Sequence, residues 1–218
     1  MYTKHKWESD VFHNFGYVKY LPKDYDEKKK YPLVFFLHGA GERGDDLDVA
    51  MRHGFMQHVR DEGKEYPFIF IAPQCPTGKY WGCYTESLLA FLDYICESLP
   101  IDTERVYLTG LSMGGTGSFM LAMAAPERFA ALAPVCGSGI YWFGEALVDV
   151  PVMMYHGDLD EVVPIEESVE MLRAIHKRGG HAELKICYGV KHGAWNVAYE
   201  GDELVNWFLS KKKKVDNE

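Results

Sequence analysis

Apolar runs with the composition of β-strands alternate along this chain with segments of helical periodicity. One run, residues 33–37, is continuously apolar and ends in His38 and Gly39. A strand that is buried on both faces has this pattern, and strands that alternate with helices build a mainly parallel sheet. We therefore predict an α/β fold, with a mainly parallel central sheet and helices on both of its faces.

The same pattern divides the chain into predicted strands and helices. Strands are predicted at residues 15–21, 33–37, 68–72, 105–109, 131–136, 152–155 and 183–187. Helices are predicted at residues 47–61, 85–99, 113–124, 165–178 and 202–210. The first strand is expected at an edge of the sheet. No linker rich in Ser, Gly or Pro and no internal repeat separates these elements, so residues 1–218 are interpreted as one domain.

The charge of the chain bears on its partners. The formal net charge is −9, whereas a nucleic-acid-binding protein needs a basic face to neutralise phosphates. The same negative charge disfavours contact with an anionic membrane surface. No apolar run approaches the roughly 18 residues of a membrane span. We therefore expect neither a nucleic acid nor a membrane as a partner.

The number and spacing of the cysteines indicate the redox state of the cellular compartment. There are five of them, an odd number, and none form a C-x-x-C pair. This pattern favours reduced thiols over a disulfide framework or a zinc site. Residues 1–10 carry no apolar core of a signal peptide, so we expect a cytoplasmic location. Whether Cys75 and Cys83 pair is left open.

The motif GLSMG (110–114) joins the predicted strand 105–109 to the predicted helix 113–124, with Ser112 at its centre. A G-x-S-x-G motif is weak by itself but becomes specific between a strand and a helix. The turn is too sharp for ordinary backbone dihedral angles, and side chains two positions to either side would collide with neighbouring backbone. We therefore predict Ser112 to be a catalytic nucleophile.

A serine hydroxyl reacts readily only when a base takes its proton and a carboxylate orients that base. In a hydrolase built on such a sheet, the acid and then the histidine follow the serine along the chain. The loop after the predicted strand 152–155 holds Asp158 and Asp160, which qualify equally by position. His192 lies in the loop after the predicted strand 183–187, and it is the predicted base.

A glycine-rich loop, HGAGERG (38–44), follows the predicted strand 33–37. Loops of this kind can aim backbone N–H groups at the oxyanion that forms during acyl transfer. The predicted donors are the N–H groups of Ala40 and of Met113. A phosphate-binding loop would need the pattern G-x-x-x-x-G-K-[ST], which the sequence lacks.

With these motifs the sequence resembles the α/β-hydrolase superfamily, and within it the compact serine esterases often called predicted peptidases. This group is related to prolyl oligopeptidase and to dienelactone hydrolase. The matching segments are LHGAGERGDD (37–46), APQCP (72–76), GLSMGG (110–115), HGDLDEVVP (156–164) and KHGAWNVAY (191–199). They span most of the chain and imply an α/β-hydrolase fold. The family pattern H-G-x-x-D implies that the acid is Asp160 rather than Asp158.

The resemblance also implies substrate-binding residues. Relatives carry a tryptophan near the position of Trp81 that shapes the acyl pocket, and another follows the catalytic histidine, as Trp195 follows His192. Gly193 departs from the family, because an acidic residue often stands after the histidine, and this puts the rigidity of the loop in doubt. Dienelactone hydrolases proper have Cys in place of Ser112, so their chemistry is not expected here.

Only 15 residues separate the predicted strand 131–136 from the predicted strand 152–155. This is too few for a helical cap, so we expect no large cap domain. Tyr141 and Trp142 lie in this segment and are predicted to bind substrate, although burial in the core would explain them equally well. An open site favours acetyl or feruloyl esters over long lipid chains.

Together these features predict a serine carboxylesterase that acts on short-chain or aromatic esters through a Ser-His-Asp triad and an acyl-enzyme. The expected partner is a small-molecule ester, and no metal or other cofactor is expected. The alternatives are a small serine peptidase of the prolyl oligopeptidase type and a non-catalytic binding protein with a hydrolase fold. The natural ester and the formation of a homodimer are left open.

Overall fold

The computed structural model describes residues 1–213. The strands are β1 (Tyr2–Trp7), β2 (Phe15–Tyr20), β3 (Tyr31–Leu37), β4 (Ile69–Pro73), β5 (Ile101–Leu111), β6 (Ala131–Val135), β7 (Val152–Gly157) and β8 (Ala182–Cys187). The α-helices are α1 (Leu47–Ala50), α2 (Phe55–Glu62), α3 (Thr85–Ser98), α4 (Met113–Ala124), α5 (Glu166–Lys177), α6 (Trp195–Ala198) and α7 (Glu203–Leu209). Within the described residues, no helix combines the length and the apolarity that crossing a membrane requires. The domain predicted over residues 1–218 extends five residues beyond the described part.

All eight strands join in one sheet, in the order β1-β2-β4-β3-β5-β6-β7-β8. β2 is antiparallel to both of its neighbours, β1 and β4, and every other neighbouring pair is parallel. The carboxyl ends of β3 to β8 therefore meet at one edge of the sheet, where ligands bind in open α/β sheets. The predicted mainly parallel α/β sheet is confirmed.

Helices cover the sheet on both faces. On one face α3, α4 and α5 bury apolar side chains such as Phe91, Phe119 and Met171 in a common core cluster. On the other face α2 and α7 do the same with Phe55 and Phe208. The two clusters use opposite faces of the same strands, which explains why β4 and β6 are apolar at every position.

Two predictions about these elements are wrong. The strand at 15–21 does not lie at the edge, because β1 pairs with its outer side. The helix predicted at 47–61 is divided into α1 and α2. The division comes before Gly54, which has φ 76° and whose missing Cβ would lie 2.8 Å from the ring of Phe36. A continuous helix with a side chain at this position cannot pack against β3.

The segment between β6 and β7 leaves the carboxyl edge without a helical cap. It contains a short 3-10 stretch, Tyr141–Leu147, which packs against α4 and α5. Gly144 allows this close packing, because a Cβ there would lie 2.9 Å from the Cβ of Ala174.

Candidate active site

Ser112 lies between the last residue of β5 and the first residue of α4, at the carboxyl edge of the sheet. Its φ of 53° and ψ of −119° fall in a region that residues with a side chain avoid. Glycines on both sides permit this turn. A Cβ on Gly110 would lie 2.5 Å from the carbonyl oxygen of Leu37, and a Cβ on Gly114 would collide with the same atom. The strained turn therefore fixes Ser112 where the strand meets the helix.

His192 connects Ser112 to Asp160 through both of its ring nitrogens. Its Nε2 lies 2.8 Å from Ser112 Oγ, and its Nδ1 lies 2.7 Å from Asp160 Oδ2. A carboxylate can only accept, so Nδ1 carries the proton and Nε2 accepts from the serine hydroxyl. The His192 side chain is 20% exposed, whereas that of Asp160 is fully buried. The serine and the imidazole are therefore accessible from the surface, whereas the carboxylate is not.

The buried Asp160 carboxylate is held by the backbone as well. Its Oδ1 accepts hydrogen bonds from the N–H groups of Val162 at 2.9 Å and Val163 at 3.0 Å. Burial raises the pKa of this carboxyl, but the hydrogen bonds from His192, Val163 and Val162 outweigh burial and bring its pKa below the usual value. Asp160 is therefore an anion throughout the neutral range.

The structure separates the two aspartates that the spacing alone leaves open. Asp158 is exposed, and its Oδ1 accepts from the N–H of Gly189 at 2.7 Å. The buried His156 supports the Asp160 loop, since its Nε2 lies 2.8 Å from the Val163 carbonyl oxygen and 3.3 Å from Asp160 Oδ2. Asp160 is thus the carboxylate that reaches His192.

Ala40 and Met113 begin helical turns at the same edge. Ala40 opens the 3-10 stretch Ala40–Glu42 after β3, and Met113 is the first residue of α4. Among residues 1–213 neither N–H donates a hydrogen bond, as expected for the first residues of helical turns. Arg43 fixes the loop from the other side, because its Nε–H donates to the Ala40 carbonyl at 2.8 Å.

His38 secures the same loop from inside the protein. Its Nδ1–H donates to the carbonyl of Gly39 at 2.7 Å, and its Nε2 accepts from the N–H of Cys75 at 2.9 Å. Burial lowers the pKa of His38 to about 4. Two smaller effects oppose each other: the hydrogen bond to Gly39 raises this pKa, and the positive charge of Arg43 lowers it. The imidazole is therefore neutral at pH 7, and it ties the loop after β3 to the loop after β4.

Trp81 does not form the predicted pocket wall. Its side chain is buried, with 1% exposure, and its indole N–H donates to the carbonyl of His38 at 2.9 Å. The side chain of Trp81 packs against α4 at Gly117. A Cβ on that glycine would lie 2.6 Å from the Cβ of Trp81. Trp81 therefore stabilises the loop that contains Ala40 through its hydrogen bond to His38, and almost none of its surface is accessible to a substrate.

The other predicted substrate-binding aromatics are accessible. Trp195 is half-buried, and its ring lies edge-on to His192 with the centroids 5.4 Å apart. Tyr141 and Trp142 are 41% and 63% exposed, which excludes the alternative of core burial, and their rings touch. The predicted roles of these three residues in substrate binding stay predictions.

Glu42 and His53, to which no sequence motif assigns a role, lie beside this group. The Glu42 side chain is only 7% exposed, and its Oε1 lies 3.8 Å from His53 Nε2. The ring of His53 in turn lies 5.4 Å from that of Trp195. The residues are eleven positions apart in different loops, so no local spacing indicates the pair. The only sequence signal is a charged residue inside the glycine-rich loop.

One group of side chains among residues 1–213 has the composition of a metal site. Ligand atoms of Cys136, Asp160 and His192 lie within 4.8 Å of one another. His192 and Asp160 are already hydrogen-bonded to each other. Burial raises the pKa of the Cys136 thiol, which therefore stays protonated. A metal would need the thiolate and a broken His192–Asp160 bond. The expected lack of a metal stays a prediction.

The fold and the Ser-His-Asp arrangement define the class: the protein has the α/β-hydrolase fold. Within that class the chain belongs to the putative esterase family, whose model matches residues 13–142. A second model, that of the prolyl oligopeptidase family, matches residues 138–214. The predicted resemblance to serine esterases related to prolyl oligopeptidase is confirmed.

Individual relatives agree with this assignment. The chain is 29% identical over 170 residues to a probable feruloyl esterase C of Aspergillus terreus, and the match covers 75% of this chain and 62% of that protein. It is 28% identical over 142 residues to a bifunctional acetylxylan esterase/xylanase of Neocallimastix patriciarum, covering 62% and 20% of the two chains. A crystal structure of a thermostable esterase matches with 30% identity and a TM-score of 0.87, covering 97% and 63%. The chain thus spans less than two thirds of each of these three relatives.

Proposed function

We propose that this chain is a serine carboxylesterase that hydrolyses esters through a covalent acyl-enzyme. The proposal rests on the hydrogen bonds that run from Ser112 through His192 to Asp160, with lengths of 2.8 and 2.7 Å. Ser112 is the nucleophile, His192 the general base, and Asp160 the group that orients the imidazole. Membership of the putative esterase family supports an ester as the substrate.

Acylation begins when His192 takes the proton from Ser112 and the serine oxygen adds to the ester carbonyl carbon. Asp160 stabilises the imidazolium that forms. The N–H groups of Ala40 and Met113 bind the oxyanion, and each donor of this kind typically contributes about 3 kcal/mol to transition-state binding. His192 then donates its proton to the leaving alcohol as the carbon–oxygen bond breaks.

Deacylation repeats these steps with water in place of the alcohol. His192 takes a proton from water, the resulting hydroxide adds to the acyl carbon, and the proton passes to the Ser112 oxygen as it leaves. The carboxylic acid product loses its proton to solvent. These steps use side chains, backbone N–H groups and water.

We propose acetyl or feruloyl esters as the substrate class. The site lies on an edge without a helical cap, and the segment after β6 carries the exposed rings of Tyr141 and Trp142. Two relatives are named for feruloyl and acetylxylan ester hydrolysis, which supports small or aromatic acyl groups.

We further propose that the chain acts as one domain in the cytoplasm, since all five of its cysteines are free thiols. Homodimer formation stays open.

The test is the variant Ser112→Ala with p-nitrophenyl acetate as substrate. We expect hydrolysis to fall to the uncatalysed rate while the circular dichroism spectrum is unchanged. A fluorophosphonate probe should label the wild-type protein and leave the variant unlabelled. Near-normal activity of Ser112→Ala would contradict the proposal, and a wild-type protein inert to both reagents would favour the non-catalytic binding protein.

The match of residues 138–214 to the prolyl oligopeptidase family keeps a peptidase as the second candidate. The two functions separate when acyl esters are compared with prolyl p-nitroanilides. An esterase should cleave the esters with the higher kcat/KM by several orders of magnitude. Comparable values for the anilides would favour the peptidase.

A further inference from the structure

His156 is a fully buried histidine that the proposed reaction steps do not use. It lies in β7, four positions before Asp160. Its Nε2 is 2.8 Å from the carbonyl oxygen of Val163, and its Nδ1 is 2.7 Å from Ser168 Oγ. A carbonyl oxygen can only accept, so Nε2 carries a hydrogen, and in the neutral ring Nδ1 accepts from the Ser168 hydroxyl. Both ring nitrogens therefore have partners, which fix the orientation of the ring.

The Nε2–H of His156 also lies beside the carboxylate of Asp160. Nε2 is 3.3 Å from Asp160 Oδ2, the oxygen that accepts from His192 at 2.7 Å. The shorter distance to Val163 marks the main direction of the N–H, so its contact with the carboxylate is the weaker, electrostatic one. Because the side chains of His156 and Asp160 are both without solvent exposure, water does not screen this contact. Two imidazole rings thus share one carboxylate oxygen.

The hydrogen bond to Val163 connects His156 to the second carboxylate oxygen. The Val163 N–H donates to Asp160 Oδ1 at 3.0 Å, while the Val163 carbonyl accepts from His156. Val163 is therefore held between the two side chains. A displacement of the His156 ring would shift Val163 and, with it, a hydrogen bond to Asp160. His156 thus acts on both oxygens of the carboxylate.

Gly157, the next residue, fixes the position of the other loop. A Cβ on Gly157 would collide with the carbonyl oxygens of Val190 and Lys191. The loop that carries His192 therefore lies directly against the end of β7. The adjacent residues His156 and Gly157 each contact one loop, the first the loop of the carboxylate and the second the loop of the imidazole.

A purely structural role for His156 would depend on its other ring nitrogen. Ser168 lies in α5, so the bond from its hydroxyl to Nδ1 links that helix to β7. The contacts with Val163 and Asp160 are made by Nε2 alone. The two roles therefore use different atoms of one side chain, and substitutions that preserve one atom or the other can separate them.

We propose that His156 is a positioning residue of the triad, which holds the Asp160 carboxylate in line with His192 through its Nε2–H. The inference rests on the proposed esterase function and adds a residue that acts through Asp160 without touching the substrate. In catalysis, a misplacement of about 1 Å can reduce the rate on the order of 100-fold. A shifted carboxylate would turn the His192 ring away from the Ser112 hydroxyl in this way.

The experiment compares His156→Asn with His156→Gln. The amide nitrogen of Gln overlaps the position of Nε2, whereas that of Asn overlaps the position of Nδ1, so only Gln keeps an N–H facing Asp160 and Val163. The readout is kcat for p-nitrophenyl acetate per active site, with the sites counted by complete labelling with a fluorophosphonate. His156→Asn should lower this kcat about tenfold or more and leave KM within about twofold. His156→Gln should recover most of the loss.

Counting the sites separates positioning from folding, because a smaller folded fraction lowers the number of sites and leaves kcat per site unchanged. Equal kcat per site in the two variants, or a greater loss in His156→Gln, would overturn the proposal. If His156→Asn does not fold, His156→Gln carries the test, and a tenfold fall in its kcat per site contradicts the proposed role.

His176 on α5 provides the matched control. Its Nε2 also lies 2.8 Å from a backbone carbonyl oxygen, that of Ala182, but the residue is exposed and lies in a helix that carries none of the proposed catalytic groups. His176→Asn and His176→Gln should have the same kcat per site as the wild-type protein. A difference between these two variants would mean that the comparison of Asn with Gln does not report on Asp160.

A proton NMR measurement tests the positioning without turnover. The hydrogen between His192 Nδ1 and Asp160 gives a signal far downfield, which His192→Ala removes. This signal should move upfield in His156→Asn, because the hydrogen bond lengthens, and stay in place in His156→Gln. An unchanged signal in His156→Asn refutes the positioning role even if the wild-type protein hydrolyses no ester. If the wild-type protein cleaves p-nitrophenyl acetate and Ser112→Ala does not, the esterase function stands whatever the His156 variants show.

Discussion

The Asp160 carboxylate receives more hydrogen bonds than an orienting role strictly needs. One oxygen faces His192, and the other accepts two backbone N–H groups, from Val162 and Val163. The carboxylate therefore cannot rotate without breaking three bonds at once. This rigidity fixes the tautomer of His192 and the direction of its Nε2, on which the basicity toward Ser112 depends.

Replacing this carboxylate by an amide tests the assignment of the acid. Asp160→Asn keeps the shape of the side chain but removes its charge and permits the wrong tautomer of His192. We expect kcat for p-nitrophenyl acetate to fall about 10³- to 10⁴-fold, the usual effect of this change in a Ser-His-Asp triad. Asp158→Asn is the control, since that exposed side chain bonds only to the Gly189 loop, and it should retain at least a tenth of the activity. The reverse order would make Asp158 the acid.

His38 predicts a pH dependence of stability. Its pKa is about 4 in the folded protein and 6.5 for an ordinary histidine, so the unfolded chain binds more protons between these values. Stability contributed by the neutral ring is present above pH 6.5 and is lost as the pH falls toward 4. For this residue the free energy of unfolding should fall by about 2 kcal/mol between pH 7 and pH 5.

His38→Gln removes this titration and keeps a donor and an acceptor. Urea denaturation at pH 7 and at pH 5 measures the difference. The variant should lose about 2 kcal/mol less than the wild-type protein on acidification, because the remaining groups titrate alike in both. Equal losses would mean that His38 does not remain neutral in the folded protein.

Single residues also show what the sequence can reveal about the site. Ser112 and His192 follow from motifs at strand ends, because the parallel sheet brings those ends together. The prediction for Trp81 is wrong because the family resemblance places a tryptophan in this loop but does not indicate whether its ring faces the substrate or the core. Glu42 and His53 meet only in the folded chain, where two loops of irregular structure converge, and no periodicity encodes that contact.

At the scale of elements, the contact between β3 and α4 decides the geometry around Ser112, the proposed nucleophile. Gly114 lies so close to the carbonyl of Leu37 that a Cβ would collide with it. Gly114→Ala must push α4 away from β3, and it should lower the free energy of unfolding by about 3 kcal/mol. Gly41→Ala is the control, because a Cβ there meets nothing within 4 Å, and it should change stability by less than about 0.5 kcal/mol. Chemical denaturation of both variants gives the comparison. Equal stabilities would show that β3 and α4 can separate freely.

Elements were predictable from sequence where burial imposes a pattern. Helix α4 has the predicted bounds 113–124, because the small apolar residues that pack on the sheet continue to its last turn. Strand β1 was missed because most of its side chains are at least partly exposed and many are polar, so no apolar run marks it. The break before Gly54 was missed because it depends on the ring of Phe36, a contact between distant parts of the chain.

For the molecule as a whole, the open carboxyl edge limits the acyl group. Two surface hollows of about 440 and 430 Å³ lie near Tyr20 and Tyr31, beside the start of β3 and β4 and away from Ser112. Neither can receive an acyl chain bound to Ser112. The rings of Tyr141 and Trp142, on the 3-10 stretch Tyr141–Leu147 after β6, are exposed and offer a surface instead of an enclosing wall. A long acyl chain would therefore stay largely in water.

This shape predicts the order of activities in a panel of acetyl, butyryl, octanoyl and feruloyl esters that share one alcohol. Acetyl and feruloyl esters should have the highest kcat/KM, because the first needs no pocket and the second can stack its ring on Tyr141 or Trp142. The octanoyl ester should react more slowly, since an open edge removes little of its chain from water. Trp142→Ala should then lower kcat/KM for the feruloyl ester several-fold and leave the acetyl ester unchanged. A maximum at octanoyl would instead require an apolar tunnel beside Ser112.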